Sequence, residues 1–155
     1  IVVSGVELNP DHGRVTIHGL PDRPGNCSRV FEAIAAAGIL VDMIIQNSTE
    51  PGTAELSFSV PKADLARALE RTREVTAAID PGARVVADAD SVVLFVYGVG
   101  MRTHTGVAER MFGALAARGI NIRMINTSEV CVSVVVESAQ GEPALAALRE
   151  CFGLG

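Results

Sequence analysis

The chain repeats itself. Displaced by 81 residues, Gly25-Asn-Cys-Ser-Arg-Val-Phe31 lies over Gly106-Val-Ala-Glu-Arg-Met-Phe112. The agreement runs on, with Ala33, Ala35, Ala36, Gly38, Ile39, Met43 and Ile44 over Ala114, Ala116, Ala117, Gly119, Ile120, Met124 and Ile125. Ten of twenty-three positions are identical, which marks a duplicated structural unit. A length of 155 residues, otherwise that of one ordinary domain, is thereby divided between two small ones.

Each copy predicts the same order of elements. Val15 and Ile17 alternate with polar neighbours in a strand ending at Gly19, and 92–97 is its counterpart before Gly98. A glycine-containing loop and a helix follow. Cys27, Val30, Phe31 and Ile34 fall at helical spacing in the first copy, and Val107, Met111 and Leu115 in the second. Gly38 and Gly119 stand just past the last turn, where a left-handed C-cap favours glycine. Strands are expected at 41–48 and 122–128, with return strands at 53–60 and 130–136. A second helix carries Leu65, Leu69 and Ile79 in one copy and Leu145 and Leu148 in the other.

The first copy adds a strand at 83–88 and completes βαββαβ, the ferredoxin-like plan. The second stops at Gly155 one strand short, while the chain opens on a spare strand at 1–8. The economical solution has 1–8 complete the second sheet. The expected fold is therefore α+β: two ferredoxin-like βαββαβ domains in tandem, with antiparallel sheets and helices on one face. The domains are 9–90, and 91–155 plus 1–8.

Composition excludes several functions. A net charge of −5 with Lys62 as the only lysine argues against a nucleic-acid phosphate backbone, and 4% aromatics leave few platforms for bases. Apolar residues at 48% and charged residues at 20% exclude a disordered tail. No apolar run approaches the roughly twenty residues a membrane span needs. Cys27, Cys131 and Cys151 are odd in number and lack metal-like spacing to His12, His18 or His104, so no metal site is expected. They read as small buried apolar residues in a reducing compartment. With no signal or transit segment, the expected location is cytoplasmic.

Catalytic motifs are absent as well. Gly98-Val-Gly100 follows a strand but lacks the third glycine of a dinucleotide turn. His104 lies near a helix start without a spaced nucleophile or acid, and reads as a solvated loop histidine. The informative loop is Asp22-Arg-Pro-Gly25, which leads straight into a helix whose first-turn N–H groups suit a carboxylate. Asp22 either offsets the helix dipole or holds an ammonium beside that carboxylate, an arrangement fitting a free amino acid. Asp42 and Gln46 share a strand face by period two, and Asp42 is either solvated or partnered there.

Asp22-Arg-Pro-Gly25, Val41-Asp-Met-Ile-Ile-Gln-Asn47, Gly100-Met-Arg-Thr-His-Thr-Gly-Val107, Ile122-Arg-Met-Ile-Asn-Thr-Ser-Glu129 and the ending Cys151-Phe-Gly-Leu-Gly155 stand out. Together they resemble the regulatory region of aspartate kinases, in particular the small β subunit of the actinobacterial type. The resemblance spans essentially the whole chain. It implies tandem ACT domains, dimerised side by side as a homodimer, that bind L-threonine and L-lysine in aspartate-family amino-acid biosynthesis. No cofactor is implied. The family's catalytic domain, which binds ATP and aspartate, has no counterpart, so the chain is expected to work on a catalytic kinase subunit or domain rather than as an enzyme by itself.

Carried over by residue, a first effector site uses Asp22, Pro24, Gly25, Asn26, Cys27 and Gln46, closed by Asn121 and Ile122 of a second chain. Only Cys27 departs, where the family usually has alanine. By the repeat, a second site uses Met101, His104, Val107, Ala108, Ser128 and Glu129, closed by Leu40, Val41 and Asp42 of the partner chain. There Leu40 replaces the usual asparagine, Ala108 a common threonine, and Thr105 a usual proline. The lost amide and hydroxyl are worth about 1 kcal/mol each, so threonine is expected at the first site and a weakened or empty second site. The other readings are a stand-alone ACT sensor, a nucleic-acid-binding ferredoxin-like module, and a small ferredoxin-like hydrolase that lacks convergent acid, base or nucleophile.

Overall fold

The computed structural model describes residues 3–49, 51–101 and 105–154. The elements are β1 (Val3–Pro21), α1 (Asn26–Ala36), β2 (Ile44–Ser48), β3 (Thr53–Val60), α2 (Leu65–Ile79), β4 (Arg84–Gly98), α3 (Thr105–Ala117), β5 (Met124–Thr127), β6 (Cys131–Glu137) and α4 (Gly141–Cys151). They divide into two compact units: a first of His12–Ala89, and a second combining Ile1–Asp11 with Asp90–Gly155. The sheet order is β2-β3-β1-β4 in the first unit and β1-β4-β6-β5 in the second.

In the first unit β1 runs antiparallel to β3, with Val15 opposite Phe58 and Ile17 opposite Leu56. The register shifts between Ile17 and Leu20, where Gly19 takes a positive φ of 75°. Period two sends Val15, Ile17, Leu56, Phe58 and Val60 to the helical face, where Val30 and Ile34 of α1 and Leu65 and Ala68 of α2 cover them. Phe31 meets Phe58 edge-on at 5.4 Å. Each such apolar side chain contributes roughly 1.5–3 kcal/mol of burial. Gly38 follows α1 at φ 72° as the left-handed C-cap its position predicts.

The second unit repeats this plan. Val92, Leu94 and Val96 of β4 pair with Val136, Val134 and Val132 of β6, and all six join Val107, Met111 and Leu115 of α3 and Leu148 of α4 in one core. The spare strand completes it: Val6 is buried in this core, Leu8 packs against it, and Ser4 Oγ donates to Tyr97 O at 3.3 Å. Helix α4 lies close against these strands. A Cβ on Gly141 would stand 2.9 Å from Val92 Cγ2 and 3.5 Å from Leu8 Cδ1.

Three details depart from the sequence reading. The strands expected at 1–8 and 15–19 form one strand, as do 83–88 and 92–97. Polar stretches such as Asn9-Pro-Asp11 look like turns, yet Asn9 Oδ1 meets the Asp11 amide at 2.9 Å within the strand. The strand expected from residue 41 begins at Ile44, because among the described residues Asp42 and Met43 bond through their backbones only to Ser59, to its carbonyl, amide and hydroxyl. Finally, the three cysteines are free thiols and half-buried rather than buried.

The opposite face of the first sheet is polar. Thr16 and Ser57 share a 2.8 Å hydrogen bond, and Arg14 pairs with Asp88 at 3.0 Å. His12 is 2% exposed here, and its Nε2 has no partner. Burial, then Arg14 and more weakly Lys62, push its pKa below 6.5 against the opposing pull of Asp42 and Asp88.

Two predictions follow from these packing relations. Below pH 6.5 the unfolded chain takes up the His12 proton before the folded one, so this contribution to stability is full above that pH and falls as the solution is acidified. Urea unfolding at pH 7 and pH 5 should show a smaller loss for His12→Gln than for the parent chain. Val6→Ala should cost about 2 kcal/mol, and an unchanged urea midpoint would contradict a structural role for the opening strand.

Candidate functional site

The loop from β1 into α1 is held at both ends. The Asp22 amide donates to Gly52 O at 2.9 Å, and Asn26 Nδ2 donates to Pro21 O at 2.7 Å. Gly25 is the N-cap of α1 with φ 91°, a left-handed conformation that costs other residues about 1–2 kcal/mol. Lacking a side chain, it supplies no capping hydrogen bond. The Asn26 amide reaches Arg23 O at 3.3 Å and the Arg29 amide reaches Gly25 O at 3.0 Å. Between them, the Cys27 and Ser28 amides have no acceptor among the described residues. Adjacent free N–H groups at the positive end of a helix form a receptor for a carboxylate.

Strand β2 supplies the other wall. Cys27 Sγ donates to Gln46 Oε1 at 2.8 Å, and Ser48 Oγ donates to Asp22 Oδ2 at 3.5 Å. Burial, reinforced by the negative charge of Asp22, pushes the Cys27 thiol up from 9.0, so it remains a protonated donor at neutral pH. The helix start, an acid, an amide and a thiol thus converge. Asp22, Pro24, Gly25 and Gln46 are exposed while Asn26 and Cys27 are half-buried, so the site is open to solvent on one side. Ser48 is the member that sequence reasoning missed. Its signal was available, since period two from Gln46 places it on the same side of β2.

The residues singled out in the second copy are arranged differently. The Met101 side chain belongs to the buried core, as does that of Val107, while Ala108 is half-buried. Met101 N donates to Glu129 O at 2.9 Å, and Ser128 N to Cys131 O at 2.8 Å, so this loop is tied by backbone. His104 lies outside the described residues. Leu40 is 77% exposed, Val41 half-buried and Asp42 exposed, all between α1 and β2 in the first unit. Asn121 and Ile122 lie between α3 and β5 in the second unit. The 81-residue displacement places Ala108 and Thr127 where the first copy has Cys27 and Gln46, so the thiol–amide pair is not repeated.

Other surfaces carry less. A groove of about 490 Å³ between α3 and α4 is lined by Gly113, Ala114 and Ala147, but its charges are engaged, Arg118 with Glu150 at 2.6 Å and Arg110 with the Cys151 carbonyl. Phe95 and Tyr97 stack at 6.0 Å, and Tyr97 Oη donates to the Glu7 carboxylate at 3.2 Å, an acid where a nucleic acid would need a cation. Among the described residues no three His, Cys, Asp or Glu side chains gather as metal ligands.

Comparison with known proteins agrees with this architecture. The family model described as ACT domain matches twice, at residues 15–74 and 94–152. An aspartokinase of Pseudomonas aeruginosa is 44% identical over 154 residues, covering 99% of this chain and 37% of that protein. An aspartokinase of Mycolicibacterium smegmatis is 36% identical over 156 residues, again 37% of its length. The chain therefore spans little more than a third of the curated relatives it matches. The ligand-free regulatory subunit of aspartate kinase from Thermus thermophilus superimposes with a TM-score of 0.91 at 39% identity, covering 98% of this chain and 99% of that one. A structure of aspartokinase alpha and beta subunits gives 0.89 at 40% identity. The chain belongs to the ACT domain family and corresponds to the tandem regulatory part of aspartate kinases.

Proposed function

We propose that this chain is a threonine sensor that conveys feedback inhibition to an aspartate kinase catalytic domain in aspartate-family amino-acid biosynthesis. The carrying observation is the uncapped start of α1, with the Cys27 and Ser28 amides free and Asp22 beside them. A free amino acid matches this pair of groups: its carboxylate takes the amides and its ammonium takes Asp22. Gln46 then faces what remains, the effector side chain. The hydroxyl of threonine is a group that an amide can recognise, whereas an aliphatic side chain would leave that amide unpaired.

The open side of the site needs a wall, which we assign to Asn121 and Ile122 of a partner chain in a side-by-side homodimer. Supporting this, the edge strands β2 and β5 expose Ile44 and Ile125, the same position in both copies, at 53% and 44%. The second site, with Met101, Val107, Ala108, Ser128 and Glu129 of one chain facing residues 40–42 of its partner, is weaker for threonine or empty. Its aliphatic Leu40 and Ala108 offer no polar partner where the first site has them. Threonine shifts the packing of the chains only as far as it binds one arrangement better than the other, and that difference is what a catalytic domain would read. The setting is cytoplasmic.

A thermal-shift screen of the twenty amino acids tests this reading. Threonine at a hundred times its Kd should stabilise by about 2.7 kcal/mol, raising Tm by roughly 5–10 °C. A flat response to all twenty would remove the proposal, and calorimetry giving two equivalent threonine sites per chain would remove the inequality between copies. Asp22→Asn should weaken threonine by about 1.5–3 kcal/mol, the worth of a charged hydrogen bond. Gly25→Ala should lower the stability of the free chain by about 1–2 kcal/mol through backbone strain and weaken threonine as the helix start shifts. Calorimetry on both variants checks the pair.

A further inference from the structure

We propose that Cys27 is a specificity-determining positioning residue: by donating its S–H to Gln46 Oε1, it turns the Gln46 Nε2 donor toward the effector side chain. The inference rests on the threonine-sensing reading and deepens it. It begins from the 2.8 Å contact between the Cys27 sulfur and Gln46 Oε1. A side-chain amide has two faces, a donor and an acceptor, and a half-turn of its last torsion exchanges them. Gln46 is exposed on β2, so nothing around it packs tightly enough to choose between them. The thiol chooses. A thiol here is a donor, kept protonated by burial and by Asp22, so it engages the oxygen and leaves Nε2 outward. Among the described residues nothing accepts from that Nε2.

The consequence is selective. With the amides of Cys27 and Ser28 on the effector carboxylate and Asp22 on its ammonium, an outward Nε2 asks the effector side chain for an acceptor. A hydroxyl oxygen meets that request, and a methyl in the same place does not. Threonine and valine, which have nearly the same shape, are separated by that one group. The second copy supplies an internal contrast, because Ala108 and Thr127 at the equivalent positions have neither thiol nor amide.

The test measures threonine and valine affinity by calorimetry on the full chain and on Cys27→Ala, Cys27→Ser and Gln46→Ala, with apo unfolding curves alongside to register folding. Serine keeps a donor at the position and alanine does not. Cys27→Ser should hold threonine within about threefold and keep its preference over valine. Cys27→Ala should lose about fivefold in threonine affinity, the worth of one hydrogen bond, with little change for valine. Gln46→Ala should reduce the preference at least as far. A Cys27→Ala chain that keeps the parent's threonine-to-valine ratio overturns the positioning role while leaving threonine sensing intact. Equal losses in Cys27→Ser and Cys27→Ala also overturn it, because sulfur bulk rather than donation would then be responsible. A parent chain that binds neither amino acid overturns both this inference and the reading beneath it.

Discussion

The second unit depends on a strand that lies far from it in sequence. Between residues 90 and 155 the chain supplies three strands and two helices, and without a fourth strand the outer edge of β4 would present bare backbone N–H and C=O groups. Residues 3–11 satisfy that edge and place Val6 in the core with Leu8 packed against it. The same strand then continues as the centre of the first sheet, where Val15 and Ile17 are fully buried. Pro21 ends β1, and Asp22 follows at once. The site loop is therefore rooted in one of the most deeply buried strands of its unit, so Asp22 and the start of α1 hold their places without a ligand to organise them.

Duplication set the fold twice but the site once. Among the residues that match across the repeat, those inside the units are core or turn residues: Ile39 with Ile120, Met43 with Met124, Gly38 with Gly119. These positions answer to packing and to a left-handed cap, which are the same problem in each unit. Gln46 is exposed and Cys27 lies half-buried at the margin of the core, so packing constrains them less, and they differ from Thr127 and Ala108. The sequence has diverged where the core exerts least control.

Much of this was legible in the sequence. Element order, the helical faces and the missing strand come from periodicity and from the repeat, both of which report on burial. The cues that failed are those in which a local signal competes with long-range hydrogen bonding. Residues 9–14, outside the expected strands, stay within β1, and 41–43, expected as strand, make only a few bonds, from Asp42 and Met43 to Ser59. Asp42 was thereby placed on a face with Gln46 that the backbone does not form. The Cys27–Gln46 bond was beyond reach, because it joins a helix start to a strand centre through two flexible side chains that no periodicity relates.

The openness of the site has its own thermodynamic consequence in the proposed reading. A carboxylate on two amides and an ammonium on a solvent-exposed Asp22 are contacts made against water, each with a modest net gain. Only a covering surface removes that competition by lowering the local dielectric and completing the polar shell. If a second chain provides the cover, threonine binding and chain association become linked equilibria. Each must then strengthen the other by the same factor. Sensing would depend on chain concentration as well as on threonine, and the free energy passed to a catalytic domain could not exceed this coupling, typically about 1–3 kcal/mol. A site buried within one chain would carry no such link. In the proposed reading, the half-open geometry of Asp22, Cys27 and Gln46 would make the sensor's response a property of the assembly.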